Sequence, residues 1–212
     1  MYNLPYFKEH DQNIVQTFIR NNPFALLNGV DIKGRPVATQ LALFLEEENS
    51  KQFLRGHLMR KTDHHRAMTE NEDVLVVFTG PHCYVSATWY VDPHQASTWN
   101  YMSVHVKGKI RFCNDDALIK ILRKTTMHFE GGNTSSSTFY DNLPDEYVQH
   151  LLPAIVAFEI EIESIENVFK LSQNRDKESY LNIIEHLMKG SENERSIALA
   201  MRDNFEKIFN AK

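Results

Sequence analysis

YMSVHVKGKIRF, residues 101–112, decides the fold class of this chain, because apolar and polar side chains alternate through it. Successive side chains of a β-strand point to opposite faces, so one face of this segment is apolar and the other is polar. The apolar face carries Met102, Val104, Val106, Ile110 and Phe112. The pattern predicts a long, half-buried antiparallel strand.

Further strands are predicted on both sides of this one. FALLNGV (24–30) and PVATQLALFL (36–45) flank DIKG, which is typical of a hairpin turn in which Gly34 supplies the permissive backbone. Other strands are predicted at KQFLRGHL (51–58), at DVLVVFT (73–79), at CYVSA (83–87) after a turn at GPH, and in the alternating segment that follows Ala154.

Helices are predicted between the strands and at the end of the chain. Helical spacing of apolar residues follows Asp11, Thr62 and Pro144 and also fills residues 114–130, and two amphipathic helices close the chain. This order predicts a mainly β, α+β fold: a small antiparallel β-barrel with peripheral helices. We expect one domain over residues 1–175 and a helical C-terminal extension over residues 176–212.

The composition limits the classes of function. The chain has 212 residues, of which 42% are hydrophobic and 24% are charged, and its formal net charge is −5. Binding to DNA through bulk charge is therefore not expected. No basic segment precedes an apolar run at the N-terminus, and no apolar run approaches the roughly 20 residues that span a bilayer. Two isolated cysteines, Cys83 and Cys113, predict neither disulfides nor a metal clip and favour the cytoplasm.

Both tryptophans fall between residues 87 and 108. Trp89 and Trp99 lie near Tyr90, Asn100 and Tyr101, which together offer flat apolar faces and polar edges to a planar heteroaromatic ligand. An equally open interpretation is that the two indoles close one end of the barrel and pack against helices.

A phosphate site is suggested by GHLMRKTDHHR (56–66). Arg60, Lys61 and Arg66 surround Thr62, which begins a predicted helix, and cations, a hydroxyl and exposed amides are what a phosphate needs. The alternative is a solvated helix start. The histidines of this segment match no zinc template, so no metal site is predicted.

KLSQNR (170–175) offers two interpretations. Ser172, Gln173 and Asn174 either cap the helix that follows or present hydroxyl and amide groups to a ligand. No nucleophile elbow, dinucleotide-binding glycine motif or helix-turn-helix is present, so no catalytic residue is predicted.

Taken together, GHLMRKTDHHR, VLVVFTGPHCYVSATWY, STWNYMSVHVKG and FKLSQNR resemble the PaiB family, also called FMN-binding negative transcriptional regulators. The resemblance extends over nearly the whole chain. It implies an antiparallel split β-barrel like that of the pyridoxamine-phosphate-oxidase-type flavoproteins. It further implies a homodimer that binds FMN at two sites formed by both subunits.

The resemblance also implies which residues contact FMN. One subunit would supply Thr39, Gln40, His57, Arg60, Lys61 and Thr62, and the partner subunit would supply Trp99, Asn100 and Tyr101, with Ser172 and Gln173. The chain departs from the usual family pattern at seven positions, two of which are Ala87 and Ser97, where proline is common. Gln40 and Ala42 replace His and Pro, and Thr62, Asp63 and His65 replace Asn, Pro and Trp.

Three functions follow from this resemblance as hypotheses. The first is a cytoplasmic FMN-binding protein, and the second is a negative transcriptional regulator with or without flavin as the sensed ligand. DNA is an open partner for the second, although neither charge nor motif supports it. The third is an FMN-dependent oxidoreductase, such as a flavin reductase, that binds no DNA.

Overall fold

The computed structural model describes residues 1–2 and 4–210 and contains seven strands and six α-helices in that part of the chain. The strands are β1 (Phe24–Val30), β2 (Pro36–Ala42), β3 (Phe44–Glu48), β4 (Lys51–Met59), β5 (Asp73–Val85), β6 (Thr98–Phe112) and β7 (Ile155–Lys170). The helices are α1 (Gln12–Asn21), α2 (Asp63–Glu70), α3 (Asp115–Phe129), α4 (Asp145–Leu151), α5 (Lys177–Leu187) and α6 (Glu192–Phe209).

All seven strands form one sheet in the order β2-β1-β5-β6-β7-β4-β3. Strands β1 and β2 pair antiparallel around the predicted hairpin, in which Gly34 has a positive φ of 76°. Strand β4 pairs antiparallel with both β3 and β7. The predicted class, a mainly β fold with an antiparallel split barrel and peripheral helices, is confirmed.

Two local predictions were wrong. Residues 80–82 do not form a turn, because β5 continues through them as one strand of 13 residues. The strand predicted over residues 36–45 is two strands, since β2 ends at Ala42 and β3 begins at Phe44. Leu43 between them is buried, and its backbone N–H donates to the carbonyl of Pro23. Residues 36–45 were predicted as one strand because hydrophobicity alone does not specify which neighbour a strand pairs with. In the structure β2 pairs with β1, whereas β3 pairs with β4.

The chain divides into two compact units. One comprises residues 1–18, 79–104 and 166 onward, and the other comprises residues 19–78 and 105–165. We call them the terminal unit and the central unit. The predicted boundary between residues 175 and 176 stays a prediction.

The core of the central unit consists of strand residues whose side chains are almost fully buried. Members include Leu27, Leu54, Val76, Phe158 and Ile160. A smaller cluster joins Leu118 and Ile121 of α3 to Ala157 of β7. Burial of such side chains contributes about 1.5–3 kcal/mol each to folding.

The terminal unit is built around the last two helices. Buried Tyr180 of α5 donates its phenol hydrogen to the carbonyl of Met201 in α6, with a distance of 2.8 Å between the oxygens. Helix α6 begins with a capping box between Ser191 and Glu194. No helix among the described residues is long and apolar enough to span a membrane.

Candidate functional site

A cavity of about 280 Å³ lies in the central unit beside β2, β4 and the start of α2. Four of the residues predicted to bind the cofactor line it together: Thr39, Gln40, His57 and Thr62. The other lining residues are Leu41, Leu58, Met59, His64 and Ile155. No carboxylate is among these lining residues, so the cavity wall suits an anionic or a neutral ligand better than a cation.

The strand register explains why Thr39 and Gln40 are available to a ligand. They lie opposite Leu27 and Leu26 in the β1–β2 ladder. Strand β2 ends the sheet, so no further strand covers its outer edge. The Thr39 side chain is half-buried and that of Gln40 is exposed. An edge strand of this kind leaves polar groups available for a partner or ligand.

His57 reaches the same cavity from β4, where it lies opposite Ala157 of β7. Its burial lowers the pKa of the imidazole below its usual value, because burial disfavours the charged form. His57 therefore stays neutral over a wider pH range than an exposed histidine does. In that form it offers one N–H donor and one acceptor.

This burial predicts a pH-dependent stability. The unfolded chain binds a proton at His57 more readily than the folded chain, so the free energy of unfolding falls as pH drops below about 6.5 toward the lowered folded pKa. We expect His57→Gln to reduce this loss, measured as the difference between urea unfolding curves at about pH 7.5 and 5.5. An unchanged difference in this variant would contradict the assignment.

The segment before α2 carries a free cation. Lys61 has a left-handed backbone, with φ of 65°, and its ammonium has no hydrogen-bond or ion-pair partner among the described residues. Arg60 is engaged instead, because its Nε donates to the carbonyl of Ile155 at 2.8 Å. Arg66 donates to the carbonyl of Lys61 at 2.7 Å. Arg60 also lies 3.5 Å from a carboxylate oxygen of Asp115. Of the three predicted cations, Lys61 is thus the one whose charged group makes no hydrogen bond among the described residues.

Thr62 is the N-cap of α2, as predicted. Its Oγ1 accepts from the backbone N–H of His65 at 3.3 Å and donates to the carbonyl of Met59 at 3.1 Å. A hydroxyl at a helix N-terminus beside an uncommitted ammonium is suited to a phosphate group. Arg60 and Lys61, which were also predicted to bind the cofactor, are not among the residues that line the cavity.

The remaining predicted contacts lie in the terminal unit, and three of them serve its own structure. Ser172 donates to Oδ1 of Asn100 at 3.0 Å, and both side chains are buried. The amide oxygen of Gln173 accepts from the backbone N–H of Leu171 at 2.8 Å. The cap of α5 is Asp176 rather than any residue of SQN, so the capping interpretation of that segment was wrong.

The two tryptophans differ in their surroundings. Trp89 stacks on His186 of α5, with ring centroids 5.0 Å apart and an interplanar angle of 11°, which matches the packing interpretation. Trp99 is 53% exposed and meets Tyr84 edge to face at 6.1 Å. Burial raises the pKa of the nearby Tyr101 phenol, and so does Tyr2. The ring of His82 also lies near Trp99, with the centroids 6.2 Å apart. Because this indole remains half exposed, the ligand interpretation stays a prediction for it.

No group of three or more histidine, cysteine or acidic residues in the described part of the chain is arranged to hold a metal ion. His64 and His65 instead serve the start of α2. Nδ1 of His65 accepts from the backbone N–H of Lys61 at 3.2 Å. His64 lines the cavity but was not predicted to do so, because two adjacent histidines match no metal-ligand spacing and the sequence gives no other signal for a ligand contact there.

Comparison with known proteins gives these sites a context. Residues 1–164 match the family described as "Putative FMN-binding domain". The chain is 32% identical over 208 residues to the protease synthase and sporulation protein PAI 2 of Bacillus subtilis, covering 98% of this chain and 99% of that protein. It is 25% identical to an uncharacterized protein of Aspergillus fumigatus, covering 90% of this chain and 92% of that protein.

Two solved structures share the fold. One is an FAD- and heme-binding protein of Mycobacterium smegmatis, with a TM-score of 0.57 and 18% identity over 77% of this chain and 73% of that chain. The other is the flavocytochrome Anf3 of Azotobacter vinelandii, with a TM-score of 0.56 and 16% identity over 85% of this chain and 78% of that chain. The family match and the PAI 2 relationship carry the assignment: this chain belongs to the PaiB family, whose domain takes FMN as its cofactor.

Proposed function

We propose that this protein binds FMN in the cavity beside β2, β4 and α2, with the phosphate at Lys61 and Thr62. The observation that carries the proposal is the capping hydroxyl of Thr62 at a cavity that no carboxylate lines. Lys61, the preceding residue, supports it, because its ammonium has no partner among the described residues. A phosphate monoester carries about 1.5–2 negative charges near pH 7. Each charge-assisted hydrogen bond to it is worth roughly 1.5–3 kcal/mol.

In this proposal, different side chains contact the phosphate and the ring system of FMN. Lys61 and Thr62 bind the phosphate, with Arg60 adding positive charge from its place against Ile155. Thr39, Gln40 and His57 offer hydroxyl, amide and imidazole groups to the polar edge of the ring system. The flavin supplies redox chemistry when it is bound, while the protein supplies position and electrostatics.

FMN binding is tested by titrating the protein into FMN and following flavin fluorescence and the visible spectrum. We expect saturable quenching and a shifted absorption band at one FMN per chain. Riboflavin, which lacks the phosphate, is the matched ligand and should bind at least about tenfold more weakly because it loses the charge-assisted contacts. Equal affinity for the two flavins would remove the phosphate from the proposed contacts.

We further propose that the protein acts as a homodimer, in which the terminal unit of the partner contributes to each FMN site. Exposed aromatic side chains support an interface: Trp99 and Tyr84 are 53% and 50% exposed. In this arrangement Trp99 and Tyr101 contact the flavin. Asn100, Ser172 and Gln173 do not contact it; their hydrogen bonds stabilise the start of β6 and the segment after β7. Light scattering of the eluted protein tests this, and a monomer that still binds FMN fully would contradict it.

The biological role we propose is negative regulation of transcription in the cytoplasm, with FMN as the sensed ligand. The PaiB relationship supports it, whereas the net charge of −5 does not favour DNA contact by bulk charge. A gel-shift series with upstream DNA at increasing salt tests the role, with and without FMN. Loss of flavin absorbance on adding NADH or NADPH, together with no DNA shift, would instead support an FMN-dependent oxidoreductase.

A further inference from the structure

Three consecutive residues at the start of α2 form a hydrogen-bonded chain that leads into the cavity. Nδ1 of His64 lies 3.1 Å from Oδ1 of Asp63, and Nε2 of the same ring lies 3.0 Å from Oγ1 of Thr62. His64 and Thr62 both line the cavity. The His64 side chain is only 14% exposed, whereas that of Asp63 is 81% exposed. The imidazole therefore connects a solvated carboxylate to the hydroxyl proposed to meet the phosphate.

The protons of this chain can be assigned from what each group is able to donate. The backbone N–H of His64 donates to Asp63 at 2.7 Å and lowers the pKa of that carboxyl, which is therefore ionised and accepts only. Nδ1 of His64 must then carry a hydrogen. In a neutral imidazole the other nitrogen, Nε2, has a lone pair and accepts. Thr62, with a single hydroxyl hydrogen, then faces two acceptors: Nε2 of His64 and the carbonyl of Met59.

A phosphate at Thr62 adds a third and stronger acceptor for that one hydrogen. If the Thr62 hydroxyl donates its hydrogen to the phosphate, the Nε2 lone pair of a neutral His64 faces the Thr62 oxygen with no hydrogen between them. Protonation of Nε2 resolves this conflict, because the imidazolium donates to Thr62 at one end and to Asp63 at the other. The added positive charge also lies close to the phosphate, which stabilises both.

We propose that FMN binding is coupled to the uptake of one proton from solvent by Nε2 of His64, which makes His64 a positioning residue for the Thr62 hydroxyl. This inference rests on the proposed FMN site. The proton comes from the buffer, the Nε2–H bond forms, and no other bond is made or broken. By linkage, FMN binds more tightly to the form of the protein in which His64 is protonated.

Charged and titratable groups near His64 include some that favour its protonation and some that oppose it. Asp63 favours the imidazolium. Arg60 and Arg66 act on the adjacent His65, whose pKa is lowered by burial and by these cations and His64. Their charge and that of Lys61 oppose a further cation, although Asp115 pairs with Arg60 at 3.5 Å and offsets part of it. His57, across the cavity, remains neutral because burial lowers its pKa. A bound phosphate offsets the two arginines, so we expect proton uptake only when the ligand carries a phosphate.

Calorimetric titration of the full chain with FMN in HEPES and in Tris at about pH 7.5 measures this coupling, because the observed heat changes with the ionisation enthalpy of the buffer in proportion to the protons taken up. We expect about 0.5–1 proton per FMN for the unaltered protein. Riboflavin should give none. FMN itself contributes little, since its second phosphate pKa is about 6.

Three variants separate the coupling from folding. His64→Gln places a permanent amide donor near Thr62 but cannot become a cation, so it should bind FMN more weakly and take up no proton. His150→Asn, on the exposed face of α4, is the matched histidine control and should keep the uptake. Thr62→Ser should also keep it, because the hydroxyl remains.

The outcomes distinguish this inference from the proposed function. FMN binding with no proton uptake, or equal uptake by the unaltered protein and His64→Gln, would overturn the coupling while leaving the FMN site intact. Absence of any FMN binding would overturn the FMN site itself. Thermal melting of each variant confirms that it is folded before its heats are compared.

Discussion

Lys61→Ala is expected to weaken FMN binding about tenfold or more while leaving the weaker riboflavin binding unchanged. The ammonium of Lys61 has no partner among the described residues, so its removal costs the folded protein no ion pair. The loss in affinity is then the loss of one charge-assisted contact to phosphate, about 1.5 kcal/mol or more. Fluorescence titration with both flavins measures it.

The backbone at Lys61 determines the controls. Its φ of 65° is strained for alanine, whereas asparagine adopts the left-handed region more readily. Lys61→Asn should therefore lose the same FMN affinity with less loss of stability. Lys107→Ala removes an exposed lysine of β6 that does not line the cavity, and it should bind FMN normally. Unchanged FMN affinity in both Lys61 variants would remove this residue from the site.

The second large effect concerns stability. Gly108→Ala is expected to destabilise the protein by about 3 kcal/mol, because a methyl group there has no space. A Cβ on buried Gly108 would overlap with the backbone carbonyl oxygen of Glu161 and lie 2.9 Å from a methyl of Ile160. The first of these is main chain of β7 and cannot move without disturbing the sheet.

Gly29→Ala is the matched control for this substitution. A Cβ on Gly29 would lie 3.1 Å from two atoms of the Met68 side chain, which is flexible and can move aside. We expect a loss below about 1 kcal/mol at this position. Urea unfolding of both variants compares them directly. Equal stability of the two proteins would show that β6 and β7 do not approach each other as closely as described.

Most elements of the fold could be predicted because their signals are local. The alternation in residues 101–112, the hairpin at Gly34 and the cap at Thr62 each follow from side-chain periodicity or backbone preference within a few residues. The errors came where the signal was not local. Continuous β5 passes through Gly80 and Pro81, whose types usually favour a turn, and β2 gives way to β3 at Leu43 within one apolar run.

The candidate site was partly predictable for the same reason. Lys61 and Thr62 are neighbours in sequence, so a cation next to a helix-capping hydroxyl could be predicted from the sequence. That Arg60 is committed to the carbonyl of Ile155, 95 residues away, is not. The buried pair of Asn100 and Ser172, 72 residues apart, was likewise invisible, and it turns two predicted ligand groups toward each other.

By itself, the sequence determined the class of fold and the positions of most strands and helices, since each depends on patterns within short segments. Its motifs also resemble those of one family, and that resemblance implied the cofactor. Only the tertiary structure decided which predicted groups share a cavity, that Arg60 is held by Ile155 and Asp115, and that Asn100 and Ser172 bond to each other. The physical reason is that a side chain's charge, protonation and availability depend on neighbours that chain folding brings together, and these neighbours are set by the packing of the whole sheet rather than by adjacent residues.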